Sequence, residues 1–320
     1  MRLGYGRPAI IPEKVANMPL VRANGLDIEY ETFGRESDPA VLLIMGFATQ
    51  LTGWPDSLCH GLAAKGFRVI RFDNRDIGKS THLTQLAAPD LWAMIAKREA
   101  GQMPAALYSL DDMAADAAGL LDALGIARAH IVGASMGGMI AQLAAILHPA
   151  KTKSLISIMS TTGRPDLPPG KPEAFAAIMT PPASAGREDR IERGIAVARV
   201  IGSPGFPASD AELRATVERG VDRAPYDPAG LTRQMAAVIA APPRNERLMA
   251  LKIPALAIHG ADDPLIPASG GEDAARSIPG AELLIVPGMA HDFRESVVPV
   301  YLRAIGDFVA KVEARERAAA

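Results

Sequence analysis

The feature that most constrains the fold is a series of short apolar runs, rich in β-branched residues, that alternate with segments of helical periodicity. Apolar runs of this kind are typical of strands buried on both faces, and helices between them imply parallel strands. Upstream, 19–25 and 26–34 alternate as an antiparallel hairpin does. The chain is therefore predicted to form an α/β fold, with a mostly parallel sheet covered by helices on both faces. The six runs are 41–45, 67–72, 129–133, 154–159, 255–260 and 282–286.

Residues 164–243 interrupt this alternation. Twelve of the chain's 26 prolines lie there, and the patterns between them are helical, with no strand signal. Because the segment separates two strands of the sheet, it should lie over the strand ends where sites of α/β proteins form. We predict a core domain made of residues 1–163 and 244–320, with residues 164–243 as a helical lid (cap) and an irregular arm over the first 17 residues.

Charge and composition narrow the class of partner. The formal net charge is −2, and the basic residues are scattered among acidic ones, which argues against nucleic acid. No apolar run approaches the roughly 18 residues of a membrane span, and the N-terminal stretch lacks the apolar centre of a secretory signal. The single cysteine, Cys59, excludes an intrachain disulfide. We expect a cytoplasmic protein that binds a small molecule and no membrane, of undetermined oligomeric state.

A G-x-S-x-G pattern occupies residues 133–137, directly after the strand 129–133 and directly before a helix. A chain that turns this sharply forces the central serine into a strained conformation, and glycines two positions to either side avoid a clash. The following helix N-terminus points N–H groups toward an anion beside the serine. Outside this context the pattern would indicate only a loop. Here it predicts Ser135 as a nucleophile.

A serine hydroxyl needs a base, and the chain has six histidines. Five of them fall where a packing, surface or framework role explains them better. His291 differs because it follows the strand 282–286 by a short turn, which places it at the same edge of the sheet as Ser135. His291 is therefore the predicted base.

The third group should be a carboxylate that orients the imidazole. Strand 255–260 leads into Asp262 and Asp263, and the resulting order of serine, aspartate and histidine is that of α/β-hydrolase triads. Asp263 is preferred, but neighbouring Asp262 stays open, and either residue could simply form the turn before Pro264.

An acyl-transfer site also needs two N–H groups for the oxyanion. The residue after the nucleophile, Met136, and the residue in the loop after the early strand, Phe47, are the candidates. Gly46 would let the backbone approach the substrate closely; the alternative is that this glycine only ends a strand. Gly46 and Met139 are the predicted substrate contacts, and the chemistry requires no metal ion and no cofactor.

Five motifs together resemble those of the α/β-hydrolase superfamily: MGF (45–47), FDNRDIGKST (72–81), GASMGG (133–138), HGADDPLIP (259–267) and PGMAHDF (287–293). Within it, the chain is similar to the aclacinomycin methylesterase group and its carboxylesterase relatives, over about residues 18–310. The resemblance implies a triad of Ser135, Asp263 and His291, with Phe47 and Met136 as oxyanion donors. One departure is Met45, where many members have histidine.

The function implied by this resemblance is hydrolysis of carboxylic esters through an acyl-enzyme intermediate. We expect short-acyl or methyl esters as substrates, because a lid of packed helices over residues 164–243 would restrict the length of the acyl chain. Dehalogenases and epoxide hydrolases of the superfamily use an aspartate where this chain has Ser135, so those activities are disfavoured. A cofactor-free perhydrolase or haloperoxidase would share the triad and stays an alternative. A ligand receptor on the same fold is a further alternative, because a fold does not fix a function.

Overall fold

The structure is a computed structural model, and it describes residues 19–319. The arm predicted for the first 17 residues lies outside this range. Eight strands form one sheet in the order β1-β2-β4-β3-β5-β6-β7-β8. The strands are β1 (Leu20–Ala23), β2 (Leu26–Phe33), β3 (Ala40–Ile44), β4 (Arg68–Phe72), β5 (Ala129–Ala134), β6 (Thr152–Ile158), β7 (Ala255–Gly260) and β8 (Glu282–Val286).

Strand direction follows the pattern expected from the sequence. The first hairpin, β1 with β2, is antiparallel, and β2 also pairs antiparallel with β4. All pairs from β4 through β3 to β8 are parallel. The central strands β3 and β5 are buried along their whole length, which is why they appear as continuous apolar runs. The predicted α/β-hydrolase fold with a mostly parallel sheet is confirmed.

Helices cover both faces of this sheet. They are α1 (Asp56–Ala64), α2 (Leu91–Glu99), α3 (Leu110–Ala123), α4 (Met136–Leu147), α5 (Pro172–Met179), α6 (Arg187–Ile201), α7 (Asp210–Arg223), α8 (Pro228–Ile239), α9 (Asn245–Leu248), α10 (Ala268–Ser277) and α11 (Val298–Ala319). Within residues 19–319, none of them combines the length and the apolar content needed to cross a bilayer.

Alternate residues of each strand feed two separate cores. Leu42 of β3 packs with α3 and α4 in one apolar cluster, whereas its neighbour Leu43 packs with α1 and α11 in another. Successive side chains of a strand point to opposite faces of a sheet, so the two clusters lie on opposite sides. The sheet is thus held rigidly from both faces, and the loops at its strand ends rest on a fixed support.

Residues 164–243 contain helices α5 to α8 and no strand, between β6 and β7. Buried ion pairs join this segment to the strand-end loop after β4. Arg223 of α7 lies 2.7 Å from Asp73, and Arg233 of α8 lies 2.7 Å from Asp76. The division into a core domain and a lid stays a prediction, but these contacts fix where the segment sits.

Candidate active site

Ser135 occupies a sharp turn between β5 and α4. Its φ of 56° and ψ of −121° lie in a region that non-glycine residues rarely adopt. Such a conformation persists only where the surroundings impose it. Here the Ser135 N–H donates to Ile158 O at 2.9 Å, and the Ser160 hydroxyl donates to Ser135 O at 2.8 Å. Strand β6 and the residues after it therefore hold the turn.

Two glycines make this turn possible. A Cβ atom on Gly133 would lie 1.9 Å from the carbonyl oxygen of Gly137, and one on Gly137 would lie 2.1 Å from Ile44 O. Neither distance is compatible with a side chain, so β3, β5 and α4 can approach one another this closely only with glycine at both positions. The G-x-S-x-G spacing is therefore a packing requirement of the strand–turn–helix crossing.

Asp263 and His291 form a buried hydrogen-bonded pair. The distance from His291 Nδ1 to Asp263 Oδ2 is 2.7 Å, and both side chains are more than nine-tenths buried. The other carboxylate oxygen of Asp263 accepts from the Leu265 and Ile266 N–H groups, each at 2.9 Å. With Nδ1–H donating to the carboxylate, Nε2 carries the imidazole lone pair and can accept a proton.

The carboxyl of Asp263 is ionised at neutral pH. Burial by itself would raise its pKa, but the electrostatic interaction with His291, hydrogen bonds from the His259 and His291 side chains, and the Ile266 N–H outweigh burial. The pKa of Asp263 is thereby lowered well below its usual range. A permanently charged carboxylate is what an imidazole needs in order to become protonated during a reaction.

The neighbouring aspartate has a different partner. Asp262 is exposed, and its Oδ2 accepts from the Gly288 N–H at 2.7 Å, which braces the turn before His291. The structure therefore places Asp263 against the imidazole and Asp262 against the backbone. The sequence could not separate these two residues because they are adjacent.

The remaining predicted site residues meet at one cavity of about 520 Å³. Gly46 lies so close to the serine that a Cβ atom there would be 3.1 Å from Ser135 Cβ. Within residues 19–319, His291 hydrogen-bonds Asp263 but not the Ser135 hydroxyl. The predicted residues on the cavity wall are Gly46, Phe47, Ser135, Met136, Met139 and His291.

The loop that carries Phe47 is fixed by two side-chain amides that sequence reasoning missed. Asn74 donates to Met45 O at 2.9 Å, and Gln234 accepts from the Ala48 N–H at 3.2 Å. Across residues 19–319 the Phe47 N–H donates no hydrogen bond, and Met136 begins α4, where N–H groups lack acceptors within the helix. The backbone N–H groups of Phe47 and Met136 are therefore both available to a ligand. Asn74 is part of the motif FDNRDIGKST, so the sequence offered a way to find it, whereas Gln234 belongs to no motif.

The loop that carries His291 is tied to the end of α6. The His291 N–H donates to Ile201 O at 2.9 Å, and the Ala290 N–H donates to Ser203 Oγ at 2.8 Å. Sequence reasoning missed this contact, since Ser203 lies in a proline-rich segment without any motif. It couples the position of the candidate base to the helical segment above it.

One side-chain group has the spacing of a cation site. Oxygen and nitrogen atoms of Asp76, His82 and Asp227 lie within 4.8 Å of one another. However, the Arg233 guanidinium donates to both oxygens of Asp76, at 2.7 and 2.8 Å, and lies 3.4 Å from Asp227 Oδ2. The arginine already supplies the positive charge. The group is therefore better described as a partly buried ion-pair network than as a metal site.

Comparison with known families agrees with this geometry. The profile of a family described as "alpha/beta hydrolase fold" matches residues 39–198 of the 320. This range begins just before β3 and includes the Ser135 turn. The chain belongs to the α/β-hydrolase family, and it is a hydrolase.

Individual relatives are more distant. The chain is 28% identical, over 82% of its length and 87% of the relative's, to rhodomycin D methylesterase DnrP of Streptomyces peucetius. It is 26% identical, over 83% and 91%, to putative non-heme bromoperoxidase BpoC of Mycobacterium tuberculosis. Among solved structures, the esterase RhEst1 from a Rhodococcus species superposes with a TM-score of 0.71 at 20% identity, covering 93% of this chain and all of that one.

Proposed function

We propose that this chain is a serine hydrolase that cleaves carboxylic esters. The observation that carries the proposal is the 2.7 Å contact between His291 and Asp263 at the wall of the cavity that Ser135 also lines. A nucleophile turn, an imidazole and a buried carboxylate around one cavity make the constellation used for acyl transfer. The methylesterase relative supports an ester as the substrate.

In the proposed mechanism, the Ser135 hydroxyl attacks the ester carbonyl while His291 Nε2 takes its proton. The N–H groups of Phe47 and Met136 hold the oxyanion of the tetrahedral intermediate. When this intermediate collapses, His291 returns the proton to the departing alcohol and Ser135 keeps the acyl group. A water then gives a proton to His291 and attacks the acyl carbonyl; as the bond to Ser135 breaks, His291 returns this proton to the serine oxygen and the acid is released. No metal ion or cofactor takes part.

The proposed substrates are short-acyl or methyl esters. The cavity at Ser135 holds about 520 Å³, and residues from α5 to α8 form part of its wall. We propose that residues 164–243 act as a lid on the core formed by residues 1–163 and 244–320. Methionines such as Met139 and Met235 line the cavity and adapt to varied acyl shapes. Within this proposal the protein acts in the cytoplasm, without nucleic acid or membrane as partner.

A second candidate function is perhydrolysis, in which hydrogen peroxide replaces water as the acceptor of the acyl group. The relative named as a putative non-heme bromoperoxidase supports it. It uses the same triad, so the two functions differ only in the nucleophile that attacks the acyl-enzyme. Measuring peracid and carboxylic acid from one ester in the presence of peroxide gives their ratio directly.

The test of the esterase proposal is turnover of chromogenic methyl, acetyl and butyryl esters, together with labelling by a fluorophosphonate. Ser135→Ala should abolish both while the protein stays folded. Ser184→Ala is the control, because Ser184 is exposed and does not line this cavity, so the change should leave both unchanged. Label found on a different residue would refute the assignment of Ser135. A folded wild-type protein that binds esters without turning any over would favour a ligand receptor.

A further inference from the structure

Arg193 of α6 lies at the boundary between two cavities. The cavity at Ser135 and a neighbouring one of about 410 Å³ share part of their walls, including Phe47, Val217 and Met235. Arg193 is among the shared residues. The rest of the shared wall consists of apolar residues, a glycine and three threonines, so within residues 19–319 Arg193 is the one charged residue that lines both cavities.

The other arginines of the larger cavity face carboxylates. Arg219 lies 3.9 Å from Asp56, and Arg294 lies 2.6 Å from Asp292. Arg193 has no such partner among residues 19–319: its hydrogen bonds go only to backbone carbonyl oxygens. Burial lowers the pKa of Arg193, and only the phenol of Tyr226 acts in the opposite direction. Arginine stays charged even so, which leaves a cation without a counter-ion beside the cavity.

The guanidinium is also held in place. Its Nε donates to Thr180 O at 3.1 Å and one terminal nitrogen donates to Ile178 O at 2.7 Å, at the end of α5. Capping of this helix explains those two bonds. A guanidinium has five N–H bonds, so three are left, and their direction is fixed by the two that are used. A fixed fork of donors binds a carboxylate with little loss of side-chain entropy.

We propose that Arg193 forms a carboxylate subsite, and that the preferred substrates are esters that also carry a free carboxylate, such as half-esters of dicarboxylic acids. A partly buried cation loses part of its hydration, and an anionic group of the substrate compensates for this loss by binding to the cation. The inference rests on the proposed esterase function and adds to it: the triad cleaves the ester while Arg193 selects the molecule.

The experiment compares monomethyl esters of succinate, adipate and suberate with neutral methyl esters of matched length. For at least one length the wild-type kcat/KM should favour the half-ester by about tenfold to a hundredfold, the range of a charge-assisted hydrogen bond. Arg193→Gln should remove this preference and leave kcat/KM for the neutral ester nearly unchanged. Arg193→Lys should keep part of the preference for the half-ester. The control is Arg199→Gln, on the exposed side of the same helix, which should leave kcat/KM unchanged for both substrates.

Two outcomes of the kinetics overturn the inference. One is a wild type that turns over neutral esters but prefers no half-ester, which leaves the esterase proposal standing. The other is an equal loss of kcat/KM for both substrates in the Arg193→Gln variant, which is the result expected if Arg193 only caps a helix. Calorimetry measures binding without turnover. The half-ester should bind the Ser135→Ala variant at least about tenfold more tightly than it binds the double variant that carries Ser135→Ala and Arg193→Gln. Equal affinities would refute the subsite even if no ester were hydrolysed.

Discussion

Ser203 and Asp292 are joined at two points. The Ser203 N–H donates to Asp292 Oδ2 at 2.9 Å, and its hydroxyl donates to Asp292 Oδ1 at 2.6 Å. The same hydroxyl accepts from the Ala290 N–H. Because Ala290 and Asp292 directly precede and follow His291, these contacts hold the loop of the candidate base against the residues that follow α6.

Ser203→Ala should lower kcat/KM by about ten- to a hundredfold, because a base displaced by a fraction of an ångström loses its alignment with Ser135. The measurement is steady-state hydrolysis of a methyl ester, with circular dichroism to confirm folding. Ser184→Ala is the control, since Ser184 is exposed on the same segment and away from this loop. Equal activity of the two variants would show that the contacts of Ser203 are not needed to position His291.

Asp263→Asn and Asp262→Asn should differ by orders of magnitude. Asparagine at 263 would favour the wrong imidazole tautomer and remove the charge that stabilises imidazolium, an effect on the order of 10⁴ in turnover in a triad enzyme. Asparagine at 262 can still accept from the Gly288 N–H and should be mild. Turnover numbers of the two purified variants decide the ranking, and a reversed order would move the triad acid by one residue.

Arg233→Met should destabilise the protein strongly. The side chains of Arg233 and Asp76 are 1% and 0% exposed, so the substitution leaves a buried carboxylate without its partner, which costs about 3–5 kcal/mol. Urea unfolding measures this. Arg22→Met breaks an exposed pair with Asp27 and should cost less than about 1 kcal/mol. The double variant that carries Arg233→Met and Asp76→Asn should recover part of the lost stability. If the effects of the two substitutions on the free energy of unfolding were strictly additive, a direct interaction between Arg233 and Asp76 would be contradicted.

The Cys59 thiol should be unreactive in the folded protein. Burial raises its pKa to about 12, with the charge of Arg71 acting in the opposite direction. Because the raised pKa favours the neutral thiol, raising the pH from neutral to about 9 generates little thiolate, whereas an ordinary cysteine would ionise there. A disulfide reagent should therefore react only after denaturant is added. Rapid reaction of the native protein near pH 9 would contradict the burial of this residue.

Specific activity should fall from acetate or butyrate esters to palmitate. Residues of helices α5 to α8 form part of the wall of the cavity at Ser135, so a long acyl chain would have to find room between these helices. Activity against an ester series at matched solubility tests this. A maximum at palmitate, with activation at a lipid interface, would instead indicate a lipase.

The sequence by itself determined the order of the strands and helices along the chain and the sharp turn at Ser135. Each apolar run carries its own periodicity, and the requirement for glycine at 133 and 137 arises from atoms only a few residues away or on the adjoining strand. The periodicity and the Gly133–Gly137 contact can be read from a short window, whereas the contact of Gly137 with Ile44 O on β3 belongs to the tertiary structure. The choice of His291 also followed, because parallel strands must end at one edge of the sheet.

Tertiary structure alone decided which side chains meet. Asp262 and Asp263 have the same local surroundings, and only the packed loop shows which of them faces the imidazole. Ser203 and Asp292 are 89 residues apart in sequence, and no pattern in a window of either residue predicts their contact. Arg193 looked like any arginine of an amphipathic helix until its neighbours were known. Such pairings depend on the path of the whole chain, which is a global property that local periodicity does not encode.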